Sequence, residues 1–338
     1  MAISESINTK SQEKSDDEIK ELQLSLPKQT WHAWPMYLYQ GLWCLSFVFE
    51  GIIAFKTHFR AHDSDIILAS HPKTGTTWLK SLIFAIVNRN KISNDFTQHQ
   101  FSSKNPHELI QQLEIKVYQK VNGEQPSLSN LALPRLFGTH IPYYSLPDSI
   151  KTSKCRIVYV CRNPLDTFIS HWHFNQHFEA CKGVNKPDFD MMEKYVEMFC
   201  SGVSPWGPYE DHVLSYWKES KKNPENVLFM EYEGLKKDPR DHLKRLAEFV
   251  GCPFSEEEVK GNVIDEIIEL CSIKSLKEME VNKSGKIEPS IENKAFFRKG
   301  EVGDWANYLT PKMVKQFKEL LEKLKVAGFS FAYYQMNS

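Results

Sequence analysis

The chain lacks the marks of several protein classes, and each absence narrows what it does. It carries no excess of charge: 42 Lys and Arg stand against 43 Asp and Glu, a formal net charge of -1. No long-range field of the kind that gathers nucleic acid or an anionic membrane is therefore expected. There is no C-x-x-C pair. The seven cysteines (Cys44, Cys155, Cys161, Cys181, Cys200, Cys252, Cys271) are odd in number and irregularly spaced. That pattern speaks against a disulfide framework or a structural zinc site and fits a reducing compartment, the cytoplasm. With 15 Gly and 17 Pro in 338 residues, collagenous and low-complexity structure are excluded. The opening stretch has no apolar run that would serve as a secretory signal. It reads as a solvated, disordered arm over residues 1–18, ahead of one domain spanning 19–338.

What is present suits a sizeable core, since 41% of the residues are hydrophobic. The run from Pro35 to Phe55 has about the length of a membrane span, but Gln40, Glu50 and Gly51 interrupt it. A buried helix walling an apolar pocket is the plainer expectation. Elsewhere short β-branched runs alternate with helical ones, which predicts an α/β fold with a parallel sheet and crossover helices. Strands are expected at 65–70, 156–161 and 226–232, and helices at 76–88, 239–250 and 311–326. Residues 274–294 are charged and without pattern, as in a long surface loop.

Three stretches carry chemistry. The first is Pro72-Lys73-Thr74-Gly75-Thr76-Thr77-Trp78, between a strand and a helix. Gly75 permits a tight turn in which successive N–H groups converge on one anion, the helix adds its positive end, and Lys73 and the hydroxyls add donors. An ordinary βα turn capped by Thr has the same spacing. A nucleotide-triphosphatase loop fails on order, because Lys73 precedes Gly75 and no Gly lies between Asp65 and Lys73. No G-x-G-x-x-G follows the strand, which removes a dinucleotide fingerprint. The second stretch, Cys161-Arg162-Asn163-Pro164-Leu165-Asp166, ends a strand and is followed by Ser170 on the next helix. Arg162 stands where open α/β sheets dock ligands and is able to fork onto a phosphate, or else pairs structurally with Asp166. The third, Phe297-Arg298-Lys299-Gly300-Glu301-Val302-Gly303-Asp304-Trp305, is a basic loop able to wrap a second phosphate, or a plain surface loop. Three anion-type loops in a nearly neutral chain are explained most simply by a ligand with more than one phosphate-like group.

The histidines divide. His140, at the end of a short apolar run, is either a core histidine or a base. His171, His173 and His177 have no acidic partner at telling spacing, so a metal site is not expected. With Trp172, Phe174 and Phe178 they suggest a mixed aromatic pocket.

Taken together, PKTGTTW, CRNPLDTFIS, EYEGLKKDP and FRKGEVGDW resemble the cytosolic sulfotransferase family, closest to its plant members, from about Trp31 to the C-terminus. The resemblance implies a single α/β domain around a central parallel sheet, with a P-loop-like strand-loop-helix for the phosphosulfate. It implies the co-substrate 3′-phosphoadenosine 5′-phosphosulfate (PAPS), no metal, and a small-molecule hydroxyl acceptor. Carried over by position, Lys73, Thr74, Gly75, Thr76, Thr77 and Trp78 would cradle the 5′-phosphosulfate, with Trp78 near the adenine. Arg162, Ser170, Arg298, Lys299 and Gly300 would hold the 3′-phosphate, and Tyr232 and Ser275 would line the adenosine cleft. His140 would be the base and Lys73 would stabilise the leaving phosphate. Two departures stand out: Gly138 replaces a lysine of many animal members, and the family's dimerisation pattern is not matched within 283–296, so dimerisation is not expected. An ATP-using small-molecule kinase and a non-catalytic adenosine-bisphosphate binder share the phosphate-binding loops and remain alternatives.

Overall fold

The computed structural model describes residues 16–89, 100–119, 126–181, 189–288 and 291–334. At its centre is a five-stranded parallel sheet with spatial order β5-β6-β4-β7-β8: Gln111–Gln112, Leu136–Thr139, Ile66–Ser70, Arg156–Cys161 and Val227–Glu231. Strand β4 occupies the middle, pairing Leu68 with Gly138 on one side and with Val158 on the other. Strands β4 and β7 read as nearly unbroken apolar runs because both of their faces are covered. Ile67, Ala69, Ile157, Tyr159 and Cys161 point into one core layer. Their neighbours Ile66, Leu68, Val158 and Val160 point into the other.

The expected strands and helices at the sheet lie where their sequence patterns put them. The helix after β4 runs Thr76–Asn88, and others run Pro164–Cys181, Pro239–Phe249 and Pro311–Val326. Three segments differ from expectation. The first part of the apolar run 35–55 is β, not helix: Lys28–Trp31 (β1), Trp34–Tyr39 (β2) and Leu42–Leu45 (β3) form an antiparallel meander, and the expected helix starts only at Phe49. Gln40 and Gly41, with φ of 51° and 79°, make the two-residue turn whose twist suits a hairpin. Among the described residues no helix is long and apolar enough to cross a membrane. Segment 274–294 is not a loop: it holds helices Ile273–Glu278 and Glu280–Ser284 and the short strands Lys286–Glu288 and Ile291–Glu292. Asn282 anchors it, donating to the Leu276 carbonyl at 2.8 Å and accepting from Asn105 at 2.8 Å. Of the arm at 1–18, residues 1–15 lie outside the described residues, whereas 16–18 already belong to helix Asp16–Ser25, whose Ile19 is in the core.

Candidate active site

Four parallel strands deliver their carboxyl ends to one cleft of about 720 Å³, within the usual range for a small-molecule site. Lys73 follows β4, His140 follows β6, Arg162 follows β7 and Tyr232 follows β8; all four line the cleft. This is the position at which open α/β sheets bind ligands, on either side of the strand where the order reverses.

The loop after β4 is tight because Lys73 and Gly75 both take left-handed backbone angles, φ 70° and 114°. Gly75 also faces Tyr232: a Cβ there would lie 2.8 Å from the ring. Gly75→Ala is therefore expected to strain the turn by about 1–3 kcal/mol. Its melting temperature should fall by about 2–6 °C, and calorimetry checks this. The Thr74 hydroxyl donates away from the cleft, to the His71 and Val160 carbonyls at 2.8 and 3.0 Å, and fastens the loop to β7. Gly75, Thr76, Thr77 and Trp78 line the cleft. Lys73 is half-buried, with its ammonium 3.8 Å from the centre of the Phe174 ring and 5.6 Å from that of Phe296. Burial, then the charges of Arg298 and Arg162, lower it to about 7.

His140 is held from three directions. Its Nδ1 lies 2.7 Å from the Ser70 carbonyl, so that nitrogen carries the proton and donates, leaving Nε2 with the lone pair. Its backbone N–H donates to Glu114 at 2.7 Å, and its carbonyl accepts from His212 Nε2 at 2.9 Å. Tyr159 OH completes the chain to His212 Nδ1 at 2.9 Å. Burial, with smaller effects from Lys80, His212 and Lys73, lowers His140 to about 3, against the raising effect of the Ser70 bond. The ring is thus neutral with its lone pair free over the physiological range. Glu114, buried beneath it, is pushed up to about 7 by burial.

The basic loop docks on the start of helix Pro164–Cys181. Asp166 accepts from the Gly303 and Trp305 N–H groups at 2.8 and 3.1 Å, and lies 3.6 Å from Arg162. Arg162 donates to the Glu301 carbonyl at 2.5 Å and stacks 4.6 Å over Tyr232, whose hydroxyl donates to the Gly300 carbonyl at 2.9 Å. Arg298 pairs with Asp304. Yet the Nε atoms of Arg162 and Arg298 and the Nε1 of Trp78 are buried and without a hydrogen-bond partner, on three residues that line the same cavity. Buried donors of this kind call for acceptors. A polyanion with an aromatic base fits them.

Ser170, Arg298 and Gly300 also line the cleft. Lys299 and Ser275 are absent from that lining: the Lys299 ammonium is on Asp304 at 2.7 Å, and the Ser275 hydroxyl donates to Glu269 at 3.2 Å. His171, His173 and His177 all line the cleft, His171 stacked 5.7 Å from Trp31 and His177 meeting Glu292 at 3.1 Å. Trp172 is buried, Phe174 lines the cleft, and the side chain of Phe178 lies outside those described. Among the described residues no group of His, Cys, Asp and Glu is arranged to hold a metal ion. Sequence reasoning missed Glu114, His107 and Gln112. The Asn105-Pro106-His107-Glu108 capping box was the one readable signal for that segment.

Residues 63–329 match the family model of the sulfotransferase domain. The chain is 44% identical to cytosolic sulfotransferase 5 of Arabidopsis thaliana over 319 residues, 94% of this chain and 97% of that one. A crystal structure of an Arabidopsis thaliana sulphotransferase superposes with a TM-score of 0.72 at 37% identity, covering 94% of this chain and 98% of the other. Mouse sulfotransferase SULT7A1, solved with PAP, superposes with a TM-score of 0.64 at 27% identity, covering 86% and 96%.

Proposed function

Since the chain belongs to the sulfotransferase family, we propose that it moves the sulfuryl group of PAPS to a hydroxyl of a small, largely apolar metabolite, with His140 as base and Lys73 at the leaving phosphate. That it is a PAPS-dependent sulfotransferase follows from the family; the residue roles and the acceptor class are the proposal. The observation that carries it is the meeting of Lys73, His140, Arg162 and Arg298 at one cleft with buried, unsatisfied donors.

PAPS supplies an activated sulfuryl group on a phosphate that leaves readily. The chain supplies the rest. His140 Nε2, held as the unprotonated nitrogen, accepts the proton of the attacking hydroxyl. Lys73, with the Phe174 and Phe296 rings beside its ammonium, and the loop amides neutralise the charge that grows on the departing oxygen. Trp78 and Tyr232, edge to face at 5.5 Å, suit an adenine between helix and basic loop. Arg162 and Arg298 suit the 3′-phosphate, and Ser170 and Gly300 stand beside them. The far end of the cleft, with Trp31, Trp34, Phe47, Ile115 and Trp206, is apolar and aromatic. It suits a flavonoid, a steroid or a hormone-like molecule. A cytoplasmic location accords with the relatives' printed name, cytosolic sulfotransferase.

Arg298→Ala is expected to weaken PAP by ~10–100-fold, the range of a hydrogen bond to a charged group. Adenosine 5′-phosphate, which lacks the 3′-phosphate, should lose less than about threefold under the same assumption. Equal losses in titration calorimetry would take the basic loop out of the site. The transfer itself is tested with labelled PAPS over a panel of phenols and sterols in the presence of chelator. A product that requires ATP and Mg²⁺ instead would sink the assignment in favour of a kinase.

A further inference from the structure

Behind the cleft wall lies a lysine that the reaction above does not use. Lys80 stands one turn beyond Thr77 on helix Thr76–Asn88 and is fully buried. Its Nζ is 3.2 Å from Nδ1 of His107, and the other nitrogen of the same ring is 2.8 Å from the Thr77 hydroxyl. Helix positions three apart share a face, so one imidazole bridges both. The ring is fixed independently of that helix. Asn105 accepts the His107 N–H at 2.9 Å in a capping box, and the Phe296 ring packs 4.2 Å away. Gly138 leaves room for the arrangement. A Cβ there would lie 1.7 Å from the Gln112 side-chain oxygen and 3.1 Å from Lys80 Cε.

We infer that Lys80 is a positioning residue which, through His107, turns the Thr77 hydroxyl proton toward the cleft. Burial, with the charges of Lys80 and Lys73, holds His107 well below its ordinary value, so the ring is neutral and carries one N–H. Burial lowers Lys80 to about 7, so below that pH it is an ammonium and offers only donors. His107 Nδ1 therefore accepts, Nε2 bears the proton, and Nε2–H donates to Thr77 Oγ1. With that oxygen accepting, its own proton is left for an acceptor in the cleft that Thr77 lines. A threonine whose oxygen already accepts from His107 keeps its one proton for a ligand, and the relay thereby suits the wall to phosphate-like oxygens. What the hydroxyl meets, a phosphate or sulfate oxygen of PAPS, rests on the function proposed above.

The tautomer is read at about pH 6, where Lys80 is the ammonium, on ligand-free protein labelled with ¹⁵N-histidine, by long-range ¹H–¹⁵N spectra, with His107→Gln identifying the signals. The expected result is an Nε2–H ring in the native chain and a mixture of tautomers in Lys80→Met. Lys80→Gln, whose amide still donates, should keep the Nε2–H form. PAP affinity should fall roughly tenfold in Lys80→Met and in Thr77→Val, and the double variant should lose little more than either alone. An Nδ1–H ring in the native protein, or losses that multiply, would overturn the relay while leaving PAP binding by the native chain intact. Failure of the native chain to bind PAP would instead remove the reading of the cleft and take the ligand of this proposal with it. The native-chain spectrum stands even if a variant does not fold.

Discussion

His140→Ala is expected to lower kcat by ~10²–10⁴-fold while leaving the dissociation constant of PAP within about twofold, because a general base acts on the proton in flight and not on the bound nucleotide. The split follows from where the ring stands. It touches Ser70 and Trp206 at the apolar end, while the arginines lie beyond the loop. The variant keeps its Glu114 and His212 contacts, since both are made by the backbone of residue 140. Burst kinetics and calorimetry on the same sample separate the two effects. A tenfold loss of PAP affinity would make His140 a binding residue. The pH profile carries a matching sign: a ring lowered to about 3 contributes no acid limb near pH 6, so activity should not fall between pH 7.5 and 5.5 on its account.

Lys73→Met should cost ~10²–10³-fold in kcat, the scale of a lost donor at a developing oxyanion. PAP affinity should fall as well, by ~10-fold or more. Here pH has the opposite sense. The Lys73 ammonium is lowered to about 7 by burial and the neighbouring arginines, and a bound phosphate raises it, so binding takes up a proton once the pH exceeds that value. Affinity for PAP is therefore expected to weaken as pH rises from 7 to 9, with little change between 5.5 and 6.5. Lys80, also near 7, and Glu114, near 7, titrate in the same range behind the wall. The assignment to Lys73 thus depends on Lys73→Met flattening most of the slope. A slope that survives in this variant would move the titration to the buried pair.

Much of this cleft could be read in advance because it is built from strand ends. Parallel strands buried on both faces are uninterrupted apolar runs, and 66–70, 156–161 and 227–231 stand out between polar turns. The residues after them are then placed by topology alone. Side-chain direction was not legible. Thr74 and Thr77 are alike on paper, yet one hydroxyl ties the loop to Val160 and the other meets His107 on a residue that lines the cleft. Lys299 reads like Arg298, but both reach the same Asp304 and only Arg298 lines the cavity. The hairpin at 34–45 was hidden because its apolar strands run together, and its turn uses Gln40 where Asn or Asp is the usual signal. Glu114 gave no sign at all: its partners, Thr139 and the His140 N–H, are 25 and 26 residues away.

A crystal structure with PAP bound addresses the whole construction at once. The 5′-phosphate should lie against the amides of residues 73–77, the base between Trp78 and Tyr232, and the 3′-phosphate within hydrogen-bond reach of Arg162 and Arg298. Nucleotide density outside the cleft, or a 3′-phosphate turned away from both guanidinium groups, would contradict it.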